Sequence, residues 1–174
     1  MKNLSLRSFQ LLILVMICFF WVTCSSPKEQ NSLSQDIEML MKIHNDQRVS
    51  HFEKKPEILL NQGTDKTISV NKGVIDSTAT PESSMARWNN YFNSVEFKKW
   101  DDVNPPVIRF STDRSLAYMI VDKEVILETL DEVGKKVEET THFAWVTILR
   151  KQSDGQWKME CIISTNQPNQ IKPL

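Results

Sequence analysis

Glycine is scarce in this chain: four residues in 174, at Gly63, Gly73, Gly134 and Gly155. They are too dispersed to form a Gly-rich phosphate loop, which removes the nucleotide-binding classes built on one. Histidine is limited to three residues, and the His-Glu-x-x-His arrangement of helical zinc sites is absent. His44 and His51 stand seven positions apart, about 10 Å along a helix, so neither a metal site nor a cofactor is expected. Basic charge is not in excess either, with 21 Lys and Arg against 22 Asp and Glu. A nucleic-acid partner needs a basic surface, and this chain does not supply one. No internal repeat or low-complexity tract is visible. Cysteine occurs three times, at Cys18, Cys24 and Cys161.

What is present at the start is a run of twelve apolar residues, Leu11 to Val22, preceded by Lys2 and Arg7 and by no acidic residue. A basic start, a short apolar stretch and a small-residue exit read as a secretory signal peptide. The competing reading is an uncleaved anchor, but spanning a bilayer takes about 20 apolar residues. The stretch W-V-T-C-S-S resembles a bacterial lipobox, in which Cys24 is lipid-modified and becomes the mature N-terminus. The alternative is an ordinary secretory signal with a chance cysteine beside it. With Cys18 discarded and Cys24 acylated, only Cys161 remains and no internal disulfide can form, so the exported domain must rest on its hydrophobic core. Loss of residues 1–23 leaves the chain about three charges negative. The organisation expected is a signal peptide at 1–23, a lipidated Cys24 with a polar tether over 24–35, and one domain over 36–174. The location expected is the bacterial cell envelope, with the membrane as a partner through the lipid.

The domain reads as helices first and strands after. Q-D-I-E-M-L-M-K-I-H-N-D-Q-R-V-S-H-F-E-K-K predicts a long helix capped by Ser34, with Asp36 and Glu38 in its first turn. P-E-I-L-L-N-Q-G predicts a short second helix stopped near Gly63. K-T-I-S-V-N-K-G-V-I-D predicts a strand reaching a turn at Lys72-Gly73. T-P-E-S-S-M-A-R-W-N-N-Y-F-N-S-V predicts a third helix, with Thr80 as N-cap, Pro81 at the first position, and Met85, Trp88, Tyr91 and Phe92 on one face. Five strands follow: E-F-K-K-W, P-V-I-R-F-S, L-A-Y-M-I-V-D-K-E-V-I-L-E-T, T-T-H-F-A-W-V-T-I-L-R-K and W-K-M-E-C-I-I-S-T-N. Asp154-Gly155 marks a hairpin between the last two. Strands of ten or more residues predict a strongly twisted antiparallel sheet. The class is α+β, with helices on one sheet face.

H-F-A-W-V-T-I-L-R-K-Q-S-D-G-Q-W-K-M-E-C-I-I-S-T resembles the final hairpin of the nuclear transport factor 2-like (NTF2-like, SnoaL-like) superfamily. The order of elements is similar over roughly Asp36 to Gln167. The resemblance implies a cone: three N-terminal helices packed on a curled, mostly antiparallel sheet, with a pocket between the first helix and the concave face. It also implies dimerisation through the sheet. Superfamily enzymes use a pocket carboxylate with Tyr, His or Arg, but no residue here matches those catalytic patterns, so the resemblance assigns no catalytic role.

Candidate site residues come from breaks in pattern. On the first helix Ile37, Leu40, Met41, His44, Arg48, His51 and Phe52 fall near one stripe at 100° per residue. His44, Arg48 and His51 interrupt its apolar character, and such breaks mark either a site or a helix leaving the core, its long side chains snorkelling to water. In the resembled fold that stripe faces the pocket. In L-A-Y-M-I-V-D-K-E-V-I-L-E, the face carrying Ala117, Met119, Val121, Lys123, Val125 and Leu127 should meet the helices, leaving Asp122 and Glu124 toward solvent. The strand holding His142 is apolar on both faces and should be central or covered twice, with His142 either a satisfied polar residue or a pocket base. Three functions fit: a domain binding a small apolar or amphipathic ligand without catalysis, a protein-interaction module, and an isomerase, hydrolase or cyclase using pocket His and Arg residues.

Overall fold

A computed structural model describes residues 32–174. Helix α1 spans Leu33–Glu53 and opens with a capping box in which Ser32 and Gln35 satisfy each other's backbone N–H groups. The cap therefore lies two residues before the expected Ser34. A residue with Gln three positions on can make the reciprocal pair, and Ser32 has that partner. Lys54 closes the helix in the left-handed conformation at φ 54°, and its N–H reaches Ser50. Pro56 then starts α2, Pro56–Leu60. Strands β1 (Gly63–Asn71) and β2 (Val74–Asp76) form a hairpin on Lys72-Gly73, both with positive φ. Two positive φ values suit a two-residue turn matched to strand twist. Helix α3, Pro81–Ser94, has Thr80 as N-cap and Pro81 at its start, as expected.

The remaining strands are β3 (Glu96–Phe110), β4 (Leu116–Leu130), β5 (Lys136–Lys151), β6 (Trp157–Asn166) and β7 (Gln170–Pro173). All belong to one curled sheet of order β2-β1-β6-β5-β4-β3, with β7 also paired to β5. The pairing is antiparallel except between β1 and β6. The two short strands expected around Pro105-Pro106 are a single strand, β3. Proline lacks the N–H a central strand needs, but β3 is an edge, and three register shifts against β4 absorb the misfit. Strand β7 has no counterpart in the sequence reading. It pairs with Val137–Thr140 of β5, the half of that strand that β6 does not reach.

Alternation on β4 decides which face is covered. Ala117, Met119, Val121, Lys123, Val125 and Leu127 are all buried, on the side that meets the helices. Helix α1 contributes Leu40 and α3 contributes Phe92, both essentially inaccessible. Burying a side chain such as Phe92 stabilises by roughly 3 kcal/mol. His51, Trp88, Phe92, Phe97 and Trp100 form a ring cluster beneath α3. On the opposite face of the sheet, Val107, Tyr118, Ile120 and Ile163 are exposed among the described residues. Val107, Ile120, Val146 and Ile163 stand in register across four strands, as do Tyr118, Ile148 and Cys161 across three.

The buried stripe of α1 is Asp36, Leu40, His44, Gln47, Ser50 and His51. It is turned slightly from the expected one: Ile37 and Phe52 are exposed. Asp36 is fully buried because three donors meet it. Lys151 Nζ lies 2.6 and 2.7 Å from its two oxygens, Trp157 Nε1 donates at 3.0 Å, and Arg114 Nη1 at 3.3 Å. Burial alone would raise the Asp36 pKa, but the hydrogen bonds and charges of Lys151, Trp157 and Arg114 hold it below the ordinary 3.8. The residue expected only to complement a helix dipole instead ties α1 to the β5–β6 hairpin.

Candidate functional site

A second polar group lies about two turns further along α1. His44 Nε2 is 2.8 Å from Asp102 Oδ2, and Lys123 Nζ is 2.7 Å from Asp102 Oδ1. The residues come from α1, β3 and β4, and Asp102 and Lys123 are register partners on adjacent strands. The His44 and Lys123 side chains are each 3% exposed, while that of Asp102 is 29% exposed and links the group to solvent. Burial opposes ionisation of Asp102, but hydrogen bonds from Lys123 and His44 outweigh it and lower its pKa. An ionised carboxylate only accepts, so Nε2 of His44 carries the hydrogen. In the neutral ring Nδ1 is then a bare lone pair.

Indole rings enclose this group. Trp100, two residues before Asp102, has its ring centroid 5.6 Å from Lys123 Nζ. It stacks on His51 at 3.6 Å and meets Trp145 at 6.2 Å. The His51 Nδ1–H donates to the Gln47 carbonyl at 2.6 Å. Burial is the main cause that brings the His51 pKa down to about 4, the Gln47 bond opposing it and the Lys123 charge adding to it. His51 is therefore neutral at physiological pH.

Hydrogen bonding in this region is incomplete. Among the described residues, His44 Nδ1, Trp100 Nε1 and Trp145 Nε1 are buried without a hydrogen-bond partner. Buried polar atoms are nearly always paired, so three in one contact network call for a reason. What surrounds them is apolar: Leu40, Val121, Val125 and Phe97 belong to the same core.

The sequence-predicted residues divide between three places. His44 and His51 lie within this network. Arg48 does not: its side chain is more than half exposed, 3.8 Å from Asp101, with its guanidinium 4.4 Å over the Phe52 ring. It covers apolar surface while staying wet. His142 is on the other side of the sheet, with Nε2 3.1 Å from Glu124 Oε2, beside an open cleft of about 380 Å³ that Asp122 and Gln167 also line. Glu124 also takes the Lys99 ammonium, so it is paired, not free in solvent. Cys24 lies outside the described residues. Among the described residues no group of three or more His, Cys, Asp or Glu could hold a metal ion, and no helix is long and apolar enough to cross a membrane.

Sequence reasoning missed Asp102, Lys123 and the indole edges. Lys123 had a signal, as the one charged residue on the apolar face of β4. Asp102 had none, because the bulges of β3 destroy the alternation around it. The tryptophans Trp100, Trp145 and Trp157 are core residues, each under a tenth exposed, and offer no surface to a protein partner.

Three short helices over one face of a curled, nearly antiparallel sheet, with polar groups buried between, define a helix-lined cone. The fold is NTF2-like, and solved structures agree. An NTF2-like protein from Cytophaga hutchinsonii superposes with a TM-score of 0.56 at 14% identity, covering 75% of this chain and 97% of that one. A ketosteroid isomerase-like protein from Erwinia carotovora atroseptica gives 0.57 at 13%, covering 75% and 96%. A hexachlorocyclohexane dehydrochlorinase (LinA) type 2 gives 0.59 at 13%, covering 80% and 89%. No family model matches the chain, and no curated protein matches it in sequence.

Proposed function

We propose that this chain is an exported, lipid-anchored envelope domain whose cone binds a small amphipathic ligand. The observation that carries the binding is the set of buried atoms without a hydrogen-bond partner among the described residues, His44 Nδ1, Trp100 Nε1 and Trp145 Nε1, beside the apolar core. A ligand with an apolar body and a few polar atoms meets both needs, as small-molecule sites do. The anchor rests on Lys2, Arg7, the apolar run and Cys24. Native mass spectrometry of the intact chain, released gently from detergent, tests the binding. A discrete added mass that is lost in His44→Leu is expected; a bare chain from every extract overturns it. Changing Cys24→Ser should release the protein from the membrane fraction, and continued membrane attachment would count against the lipid.

A catalytic reading is favoured by one specific contact. Asp102 orients His44 and leaves Nδ1 free to take a proton, which is the arrangement of a buried general base. Structural neighbours include a protein named as a dehydrochlorinase and one named as ketosteroid isomerase-like. Turnover by proton removal that disappears in His44→Gln is the expected result, and turnover unaffected by that change removes His44 from the chemistry.

The open sheet face supports a homodimer. Arg109 stands beside the Tyr118 row and Asp122 follows the Ile120 row at the opposite end of the patch, so a second copy related by a two-fold axis would set opposite charges together. Ile120→Lys should convert a dimer to a monomer in light scattering; a wild-type monomer at all concentrations refutes it.

A further inference from the structure

We propose that the cone site selects a small carboxylate, with the Lys123 ammonium and the indole N–H groups of Trp100 and Trp145 as donors to its oxygens. This rests on the ligand-binding reading above and names the class of ligand. The argument is a census of donors and acceptors. On the donor side stand an ammonium with three N–H groups and two indole N–H groups. On the acceptor side the group offers the Asp102 carboxylate, which accepts from both Lys123 and His44, and the single lone pair of His44 Nδ1, so spare N–H groups outnumber spare acceptors. Among the described residues Lys123 has no other ion-pair partner, and neither indole N–H has a hydrogen-bond partner. The groups that carry the donors are neighbours: Lys123 Nζ lies 5.6 Å from the Trp100 ring centroid, and the Trp100 and Trp145 centroids are 6.2 Å apart.

A buried site with surplus donors favours a ligand that brings acceptors. A carboxylate brings two oxygens and no hydrogen, which suits an ammonium and two indoles together. A ligand amine would add donors to a site already over-supplied. An alcohol would satisfy one donor and leave the others. The walls from Leu40, Val121 and Val125 suit an apolar body behind the head group. The carboxylate of Asp36 shows the same chemistry fulfilled within this chain, with a lysine and an indole N–H on one acidic group. At the cone the lysine and the indoles are present and no second acidic side chain is.

The test uses the full chain in detergent, titrated with benzoate, benzamide and benzylamine, which share an apolar ring and differ in the head group. The readout is the indole ¹⁵N–¹H resonances. Benzoate should shift the signals of Trp100 and Trp145 and leave Trp157, whose N–H is held by Asp36. Benzylamine should leave all three in place. Lys123→Met should weaken benzoate binding about tenfold or more, as loss of a charge-assisted bond does. Trp145→Phe removes one N–H while keeping a ring and should weaken it by a smaller factor, so the result does not hang on one variant. Benzamide binding as tightly as benzoate, or a Lys123→Met protein that binds benzoate normally, overturns the carboxylate assignment and leaves the ligand site standing. No shift with any of the three compounds, together with a bare chain in native mass spectrometry, overturns both.

Discussion

Two polar groups are buried along the same helix, and they differ in completeness. At the start of α1, Asp36 has both oxygens engaged by Lys151, Trp157 and Arg114. Two turns on, Asp102 is engaged by His44 and Lys123, yet His44 Nδ1 and the indoles of Trp100 and Trp145 find nothing. A satisfied buried network rigidifies a fold, whereas an incomplete one costs stability in the absence of its missing partner. The first group holds α1 to the β5–β6 hairpin. The second leaves three buried polar atoms without a hydrogen-bond partner among the described residues.

The largest effect should come from the completed group. Asp36→Asn leaves the nearly buried Lys151 ammonium uncompensated and should cost about 3–5 kcal/mol in denaturant unfolding. A loss below about 1 kcal/mol would erase the contrast between the two groups. The same carboxylate predicts acid sensitivity. Its pKa is lowered on folding, so its contribution is present above the ordinary 3.8 and is lost as pH falls through the lowered value.

His51 sharpens the comparison over a different range. Its folded pKa of about 4 lies below the ordinary 6.5. Between those values the unfolded chain binds more protons, so stability falls as pH drops from 6.5 toward 4, by about 3 kcal/mol in full. Unfolding curves at pH 7 and pH 5 should show this slope in the wild type and lose much of it in His51→Phe.

The smallest effects should have the opposite sign. Trp145→Phe deletes an unpartnered N–H and keeps a ring in place, so stability should stay within about 1 kcal/mol of wild type or rise. A loss well beyond the packing cost of the smaller ring would show that the indole N–H is satisfied after all. Arg48→Ala, outside both groups, should change stability by less than about 1 kcal/mol, and no effect on ligand affinity is expected.

The parts legible in the sequence are those fixed by neighbours a few residues away. Thr80-Pro81 starts α3 because an N-cap hydroxyl and a preset φ act within one turn. Lys72-Gly73 and the loop at Asp154-Gly155 turn the chain by local backbone conformation, with positive φ at Lys72, Gly73 and Gly155. The alternation of β4 showed which face meets the helices, and His44 and His51 stood out as polar breaks in an apolar stripe. Lys123 was visible on that same face without its meaning being readable, since Asp102 lies 21 positions away on a bulged edge strand. The fusion of two strands across Pro105-Pro106 was illegible for a related reason. Proline forbids a central strand, and only the sheet order shows that β3 is an edge.

The α+β class, the Thr80 cap of α3, the turns and the buried face of β4 could be read from the chain alone, because each depends on local conformation or on period-two burial. Only the tertiary structure decided that Asp36 turns inward to Lys151, that His44 meets Asp102, that Arg48 stays outside, and that His142 stands on the far side of the sheet. Those outcomes depend on which charges and rings the curled sheet brings within 3 Å of one another. Such contacts join residues 58 to 121 positions apart, a separation over which neither propensity nor periodicity carries information.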